Sequence, residues 1–356
     1  MPTGTVSALV ILLRPGKWRR FWRTESRRCT SVFFLTYIAA SINPSSIHSP
    51  SADNVDGFVE RSRVESGQLV GPRIFTVGTI IYGAGLVGYH QDVADAAEAR
   101  SALLRLKAEG GPSSISYKNY NLPSRASRQR LLLEARNLSM LCVPEGGMNQ
   151  DWDLTYIVDG KHNSARRYDC LRFIGGMTTV EHNLPVATLY DDVINLFAFS
   201  GTGNTPTHIV NYGGAHGEQF VWTNVDVPND PNGEDGTQGP PCTHWCTRRA
   251  PLGLNYHAEM FFAKAGGLSN YEVIRAATIH GAETLGLRKS IGSLSPGKLA
   301  DFLVYEPSVD ILEGEIAATK QVRYVSRGGR VWAASTMEEV WPVKGRKKPI
   351  PPLNPE

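Results

Sequence analysis

The chain has 356 residues, of which 41% are hydrophobic and 20% charged, so it can bury the core of one large or two medium domains. Its net charge of +3 comes from the N-terminus: residues 1–28 hold seven of the 37 Lys and Arg residues and one of the 34 Asp and Glu residues, which leaves 30 basic and 33 acidic residues elsewhere. This slightly acidic remainder argues against a nucleic-acid partner, and five unevenly spaced Cys residues argue against a disulfide framework and favour a reducing compartment such as the cytoplasm.

The N-terminal residues 1–48 differ in composition from the rest. They are basic and aromatic, and their apolar stretches, such as CTSVFFLTYIAASI, are shorter than the roughly 20 residues that span a bilayer. We predict a poorly ordered extension outside the fold and no transmembrane segment.

From residue 71 onward, strand patterns alternate with helix patterns. The first predicted elements are a strand at 73–81, a helix at 93–110 with Asp92 as its N-cap, a strand at 114–120 and a helix at 124–138. They are followed by strands at 140–144 and 177–182, a helix at 189–199 and a strand at 205–210. Strands and helices that alternate at this spacing indicate an α/β fold with a parallel sheet.

The C-terminal part has its own signals. Ser269 and Glu272 form a capping box before a helix, and residues 322–334 read as a hairpin that turns at Gly328-Gly329. Two stretches, 161–176 and 227–251, break the alternation and are predicted to be an irregular insert and a loop.

One glycine motif raises a nucleotide-binding alternative. Residues 83–88, GAGLVG, follow a strand and match the pattern of a dinucleotide-binding loop. Such a loop needs a helix that begins inside it and an acidic residue at the end of the next strand. Here the helix begins later, so a flexible loop is the simpler interpretation, and an NAD-dependent oxidoreductase remains the alternative.

Two polar residues stand at the C-terminal ends of predicted strands, Lys118 and His182. Parallel barrels assemble their active sites at this edge. A neutral imidazole can bind a metal ion, and a lysine amine that burial keeps neutral can bind a metal or react with CO2 to form a carbamate. Taken alone, each residue is more often a satisfied polar group than a ligand.

Several phrases of the chain resemble the metal-dependent amidohydrolase superfamily, in particular its imidazolonepropionase-like and prolidase-like members. They include KNYNLPSRASRQ (118–129), VPEGG (143–147), VEHNLPVATLYDDV (180–193) and AATIHGAETLGLRKSIGSLSPGKLADFLV (276–304). The resemblance spans about residues 50–335, and the last phrase is its most specific part.

The resemblance implies a (β/α)8 TIM-type barrel with a small β-sandwich, and a divalent metal, by expectation zinc. It further implies a hydrolase that acts through a metal-activated water on carbon–nitrogen bonds of small amides or cyclic amides, with a carboxylate that moves the proton. Carried over by position, Lys118 and His182 become metal ligands, Glu145 becomes a third ligand or the proton carrier, and His257 is a further candidate ligand.

Two parts of the family's ligand pattern have no counterpart. The chain contains no His-x-His pair, and the Asp of the eighth strand has no clear counterpart, because the resemblance resumes only at residues 252–262. We therefore expect an incomplete barrel at 49–290, a remnant β-domain at 291–338 and a disordered tail at 339–356. An inactive or truncated relative that binds no metal is the second alternative.

Overall fold

The structure, a computed structural model, describes residues 46–49, 56–68, 70–81, 93–111, 114–119, 122, 124–144, 178–181, 191–200, 203–205 and 255–345. Its first part alternates strands and helices. The elements are β1 (Ser46–Ser49), α1 (Asp56–Glu65), β2 (Arg73–Thr76), α2 (Ala96–Gly110), β3 (Ser116–Asn119), α3 (Arg125–Asn137), β4 (Leu141–Pro144), β5 (Thr179–Glu181), α4 (Asp191–Ser200) and β6 (Gly203–Thr205).

The six strands pair in parallel and in chain order. β1 pairs with β2, β3 with β4, and β5 with β6. An isolated parallel bridge between Ile81 and Asn119 links the chain after β2 to β3, and the amide of Thr178 donates to the carbonyl of Cys142 at 3.0 Å, which links β4 to the start of β5. The predicted parallel α/β order is confirmed for these residues, and it is the order of strands in the wall of a parallel barrel.

Helix α2 begins later than the sequence predicts. Its N-cap is Asp95 rather than Asp92, because the Asp95 carboxylate accepts from the amide of Glu98 at 2.9 Å while the Glu98 side chain accepts from the amide of Ala94 at 2.7 Å. The predicted end is correct, since the helix stops at Gly110 and Gly111 has a φ of 51°.

The buried face of α2 also differs from the apolar pattern of its sequence. The sequence predicts a buried face made of Val93, Ala96, Ala97, Leu103 and Leu104, but Ala96, Ala97 and Leu104 are exposed. The buried helical face consists instead of Ala99, Ala102, Leu103 and Leu106. These positions follow the i, i+3, i+4, i+7 spacing of a helix that packs on a sheet.

The strands separate two apolar layers. On the face covered by α2 and α3, Tyr117 of β3 and Cys142 of β4 are paired in register and pack with Leu103, Leu106 and Leu131. On the other face, Leu141 packs with a second group: Phe75, Leu285, Ile115 and Leu287. Because side chains alternate along a strand, Ser116 and Lys118 of β3 lie on the face of Leu141, opposite the helices.

The C-terminal part is a group of helices packed on an antiparallel sheet. Its elements are α5 (Asn255–Ala265), α6 (Asn270–Arg275), a π-helical turn (Ala276–His280), α7 (Gly281–Thr284), β7 (Phe302–Tyr305), a 3-10 helix (Ile316–Lys320), β8 (Val322–Arg327), β9 (Arg330–Ala333) and β10 (Glu339–Trp341). The sheet order is β10-β9-β8-β7. Both the capping box of Ser269 with Glu272 and the hairpin turn at Gly328-Gly329 are confirmed.

Two edges of the fold differ from the predicted boundaries. Residues 46–48, expected in the extension, belong to β1, whose parallel pairing with β2 gives its backbone hydrogen-bond partners. Glu339, expected in a disordered tail, begins β10, is fully buried, and pairs with the guanidinium of Arg330 at 2.6 Å. A buried carboxylate with a cationic partner fixes this stretch in the sheet.

A buried ion pair ties the two parts of the chain together. Asp301, just before β7, receives hydrogen bonds from both terminal nitrogens of Arg73 in β2 and, at 2.6 Å, from the backbone amide of Gly328. Nearby, Arg327 donates to the carbonyl of Gly71 at 2.9 Å and to the carboxylate of Glu65 at 2.9 Å. We call this set of contacts the junction, because it joins β2 to the β8–β9 hairpin.

Candidate functional site

Lys118 is the penultimate residue of β3 and is 1% exposed. It lies on the face of the sheet opposite the helices, whereas Tyr117 and Asn119 on either side lie on the helix face. Its partner in register is Val143 of β4. The sequence therefore predicted the strand end, and the structure adds that the lysine side chain is buried there.

The two other strand-end candidates follow described strands directly. Glu145 is the residue after Pro144, the last residue of β4, and His182 is the residue after Glu181, the last residue of β5. Both lie outside the described residues, so their roles stay predictions. Also outside lie the glycine motif at 83–88, the insert at 161–176 and the loop at 227–251.

The structure places His257 in α5, where its side chain is half-buried and faces the 3-10 helix of the C-terminal part. Its Nδ1 atom is 2.9 Å from the hydroxyl oxygen of Thr319 in the 3-10 helix, and its ring meets that of Tyr256 edge to face with 5.7 Å between centroids. One ring nitrogen is thus already hydrogen-bonded, which leaves Nε2 as the atom for the predicted metal contact. That contact stays a prediction.

The protonation of His257 should be visible in the pH dependence of stability. Burial, with a smaller effect of Lys320, lowers its pKa from 6.5 to about 3. Because the unfolded chain then binds more protons between these two values, stability is fully present above pH 6.5 and decreases as the pH falls towards 3.

We expect metal-free wild-type protein to lose about 1 kcal/mol more per pH unit between pH 6 and pH 4 than the variant His257→Gln. Urea unfolding at a series of pH values after chelator treatment measures this slope. The comparison variant His280→Gln changes an exposed histidine whose pKa is also lowered, by burial and by Arg275, so it should reduce the slope by less than His257→Gln does. If wild type and His257→Gln gave the same dependence of unfolding free energy on pH, burial would not lower the pKa of the His257 imidazole.

Asn119, Tyr117 and Arg128 form a buried polar network on the helix face of the sheet, the face opposite Lys118. The side-chain amide of Asn119 donates to the hydroxyl of Tyr117 and to the carbonyl of Arg128, both at 3.3 Å, and lies 3.9 Å from the sulfur of Cys142. Nε of Arg128 donates back to the Asn119 carbonyl oxygen at 3.4 Å. Burial and the Cys142 thiol raise the pKa of Tyr117 well above its ordinary value, so the phenol stays protonated.

Sequence reasoning missed this network. A sequence signal exists, since Asn119 is a polar residue that alternation places on an otherwise apolar strand face, and such a residue needs partners. The partner could not be identified, because Arg128 reads as one of several basic residues on an amphipathic helix.

Within the described part of the chain, no three His, Cys, Asp or Glu side chains come together in a way that would hold a metal ion. Of the predicted metal ligands, the described residues include Lys118 in β3 and His257 in α5. Lys118 has a buried amine near the C-terminal end of a parallel strand, and an amine nitrogen can act as a metal ligand when it is neutral. Among the same residues, no helix has the length and apolar character needed to cross a membrane.

Comparison with known proteins identifies what the chain resembles. Residues 248–333 match the model of the amidohydrolase family. No curated protein matches the chain. The match confirms the predicted resemblance over the part where the sequence motif is most specific.

Solved structures extend the likeness to most of the chain. Phenylurea hydrolase B is similar with a TM-score of 0.61 and 15% identity over 92% of this chain and 82% of its own. Molinate hydrolase is similar with a TM-score of 0.60 and 18% identity over 98% and 86%. A putative prolidase from Bifidobacterium longum has a TM-score of 0.55 and 18% identity over 97% and 81%. The fold is therefore a TIM-barrel-like α/β fold, similar to the folds of these three proteins.

Proposed function

We propose, starting from the amidohydrolase match of residues 248–333, that the chain is built as a metal-dependent hydrolase that cleaves a carbon–nitrogen bond in a small amide or cyclic amide. The observation that carries the proposal is the position of Lys118, buried at the C-terminal end of β3 on the face away from the helices. Active sites of parallel barrels are built at this edge.

The order of the strands supports a shared site. β3 pairs in parallel with β4, and the hydrogen bond from Thr178 to Cys142 places the start of β5 beside β4. Neighbouring strands lie about 4.8 Å apart, so the C-terminal ends of the three strands would lie along one edge. Lys118, Glu145 and His182 stand at or directly after these three ends. An amine, a carboxylate and an imidazole at this spacing form a donor set suited to zinc.

Each residue then has a proposed role. Lys118 and His182 would hold the metal, and Glu145 would hold it or carry the proton from the attacking water to the leaving nitrogen. The metal, when bound, polarises the carbonyl and lowers the pKa of water. His257 is a further proposed ligand through Nε2, in which case the Thr319 hydroxyl at Nδ1 would orient the ring.

We also propose that the barrel is incomplete and that the four-stranded sheet is the remnant of a sandwich. In favour of this, the sequence lacks a His-x-His pair, which the family carries on its first strand. A chain with this defect would bind metal more weakly than its relatives, and the inactive alternative is a chain that binds no metal.

Zinc titration of the purified full chain, with a chelating indicator as competitor, tests the proposal. We expect about one zinc ion per chain, and Lys118→Met should weaken zinc binding by about 100-fold, because loss of one strong ligand costs roughly 3 kcal/mol. The control Lys107→Met removes a lysine that instead caps the carbonyl of Leu138 at 2.9 Å, and it should keep the wild-type affinity.

Hydrolysis is then assayed on the zinc-loaded chain with phenylureas, molinate and cyclic amides such as imidazolonepropionate. Turnover that is lost in Lys118→Met but kept in Lys107→Met would support the hydrolase. A chain that binds no zinc and turns over none of these compounds would overturn it in favour of the inactive relative.

A further inference from the structure

We propose that Asn119 and Arg128 are positioning residues that fix Lys118 at the end of its strand. This inference rests on the proposed function of Lys118 and adds to it the residues that hold the lysine in place. The residues concerned lie on the opposite face of the sheet and do not touch a substrate, so their effect would pass through the backbone of β3.

The backbone at Asn119 is fixed from three directions. It forms a parallel bridge with Ile81 on one side and pairs with Pro144 of β4 on the other. From the helix face, its side chain donates to the carbonyl of Arg128 and accepts from Nε of the same residue. Asn119 is 0% exposed, so water does not compete for these bonds.

Such fixation matters because Asn119 is the last residue of the strand. The ends of regular elements fray when their polar groups have no partner beyond the end. Lys118 is the residue before, and its long side chain can reach one place reproducibly only if its Cα–Cβ bond has a fixed direction. Catalytic and metal-binding groups need placement within about 0.5 Å.

Arg128 makes the arrangement costly to disturb. Its side chain is 2% exposed although it carries a charge, and it lies in the first turns of α3, whose N-cap is Ser124. A buried cation must keep its hydrogen-bond acceptors, because leaving one of its donors unsatisfied carries the full cost of desolvation. The helix, the guanidinium and the strand end are therefore held in one relative position.

The test compares Asn119→Ala with the control Ser127→Ala. Ser127 is one residue from Arg128 and is also buried, but its hydroxyl donates to the carbonyl of Val93 at 3.1 Å and has no contact with β3 among its hydrogen bonds. Each variant loses one small polar side chain from the same helix–sheet layer. Thermal unfolding records the loss of global stability for both.

The readout is the rate at which Lys118 reacts with an acylating reagent in the full chain, followed by peptide mass spectrometry, with Lys107 as internal reference. In wild type the buried amine should react slowly. We expect Asn119→Ala to raise its rate at least 10-fold and to weaken zinc binding by a similar factor, whereas Ser127→Ala should stay within twofold of wild type for both. Asn119→Asp keeps an acceptor for Arg128 and should give an intermediate rate.

Equal labelling rates for Asn119→Ala and Ser127→Ala, at equal thermal stability, would overturn the proposal and leave Asn119 a merely structural residue. If Asn119→Ala does not fold, Asn119→Asp against Ser127→Ala decides in the same way. If wild type binds no zinc, the proposed function fails, while the labelling rates still decide whether Asn119 and Arg128 position Lys118.

Discussion

Replacing Gly292 with alanine is expected to lower the free energy of unfolding by about 4 kcal/mol, from left-handed backbone strain of about 1–2 kcal/mol and overpacking of about 1–3 kcal/mol. Gly292 lies in the turn between α7 and β7 with a φ of 87°. A Cβ there would lie 2.6 Å from Cβ of Ala282 and 3.1 Å from the backbone Cα of Ile279, so the turn could not stay packed on the helix.

Gly297 is the matched control in the same turn. Its φ is also 87°, but a Cβ built on it meets nothing within 4 Å. Gly297→Ala should therefore show only the backbone part, about 1 kcal/mol. Urea unfolding with an unchanged slope measures both values. If Gly292→Ala and Gly297→Ala lowered the free energy of unfolding equally, the close packing of Gly292 against Ala282 and Ile279 would not be the cause of the loss.

The second large effect is expected at the junction. Asp301→Asn should lower the free energy of unfolding by about 3 kcal/mol, because it leaves the charge of Arg73 partly buried without its anionic partner. The Asp301 side chain is 1% exposed and that of Arg73 18% exposed, so water cannot replace the lost carboxylate fully. The carboxylate also accepts from the amide of Gly328.

Two further variants decide whether the ion pair is the cause. Asp310→Asn makes the same change at an exposed carboxylate that accepts from the amides of Leu312 and Glu313, and its effect should be much smaller. In the double variant Arg73→Met with Asp301→Asn, the loss should be clearly smaller than the sum of the single losses. Additive losses would show that Asp301 acts through Gly328 alone.

The sequence predicted secondary structure well where interactions between residues close in the chain determine it. Alternation and β-branched composition located β3 and β4 within two residues, and Gly328-Gly329 located the hairpin, because a tight turn with positive φ at both residues requires glycine. It was a poorer guide at the start of α2, where Asp92 and Asp95 are both competent caps. The bond from the Glu98 amide to the Asp95 carboxylate, together with the bond from the Ala94 amide to the Glu98 carboxylate, selects the second.

The site was predictable in part for the same reason. The end of β3 follows from local pattern, and with it the position of Lys118. The network of Asn119 with Arg128, and the link between His257 and Thr319, join residues that the pattern of one element cannot relate, since each depends on how two elements pack. Glu145 and His182 remain predictions from position alone.

The junction has a consequence for how the chain is made. The strands β1 to β6 pair two by two along the chain, β1 with β2, β3 with β4 and β5 with β6, so these pairs can form while the chain is still being synthesised. Arg73 must wait for a partner 228 residues further on, which at about 5–20 residues per second takes roughly 10–45 s. During that interval β2 would carry an unneutralised arginine, and a nascent chain stalled before Asp301 would remain a target for proteases and chaperones.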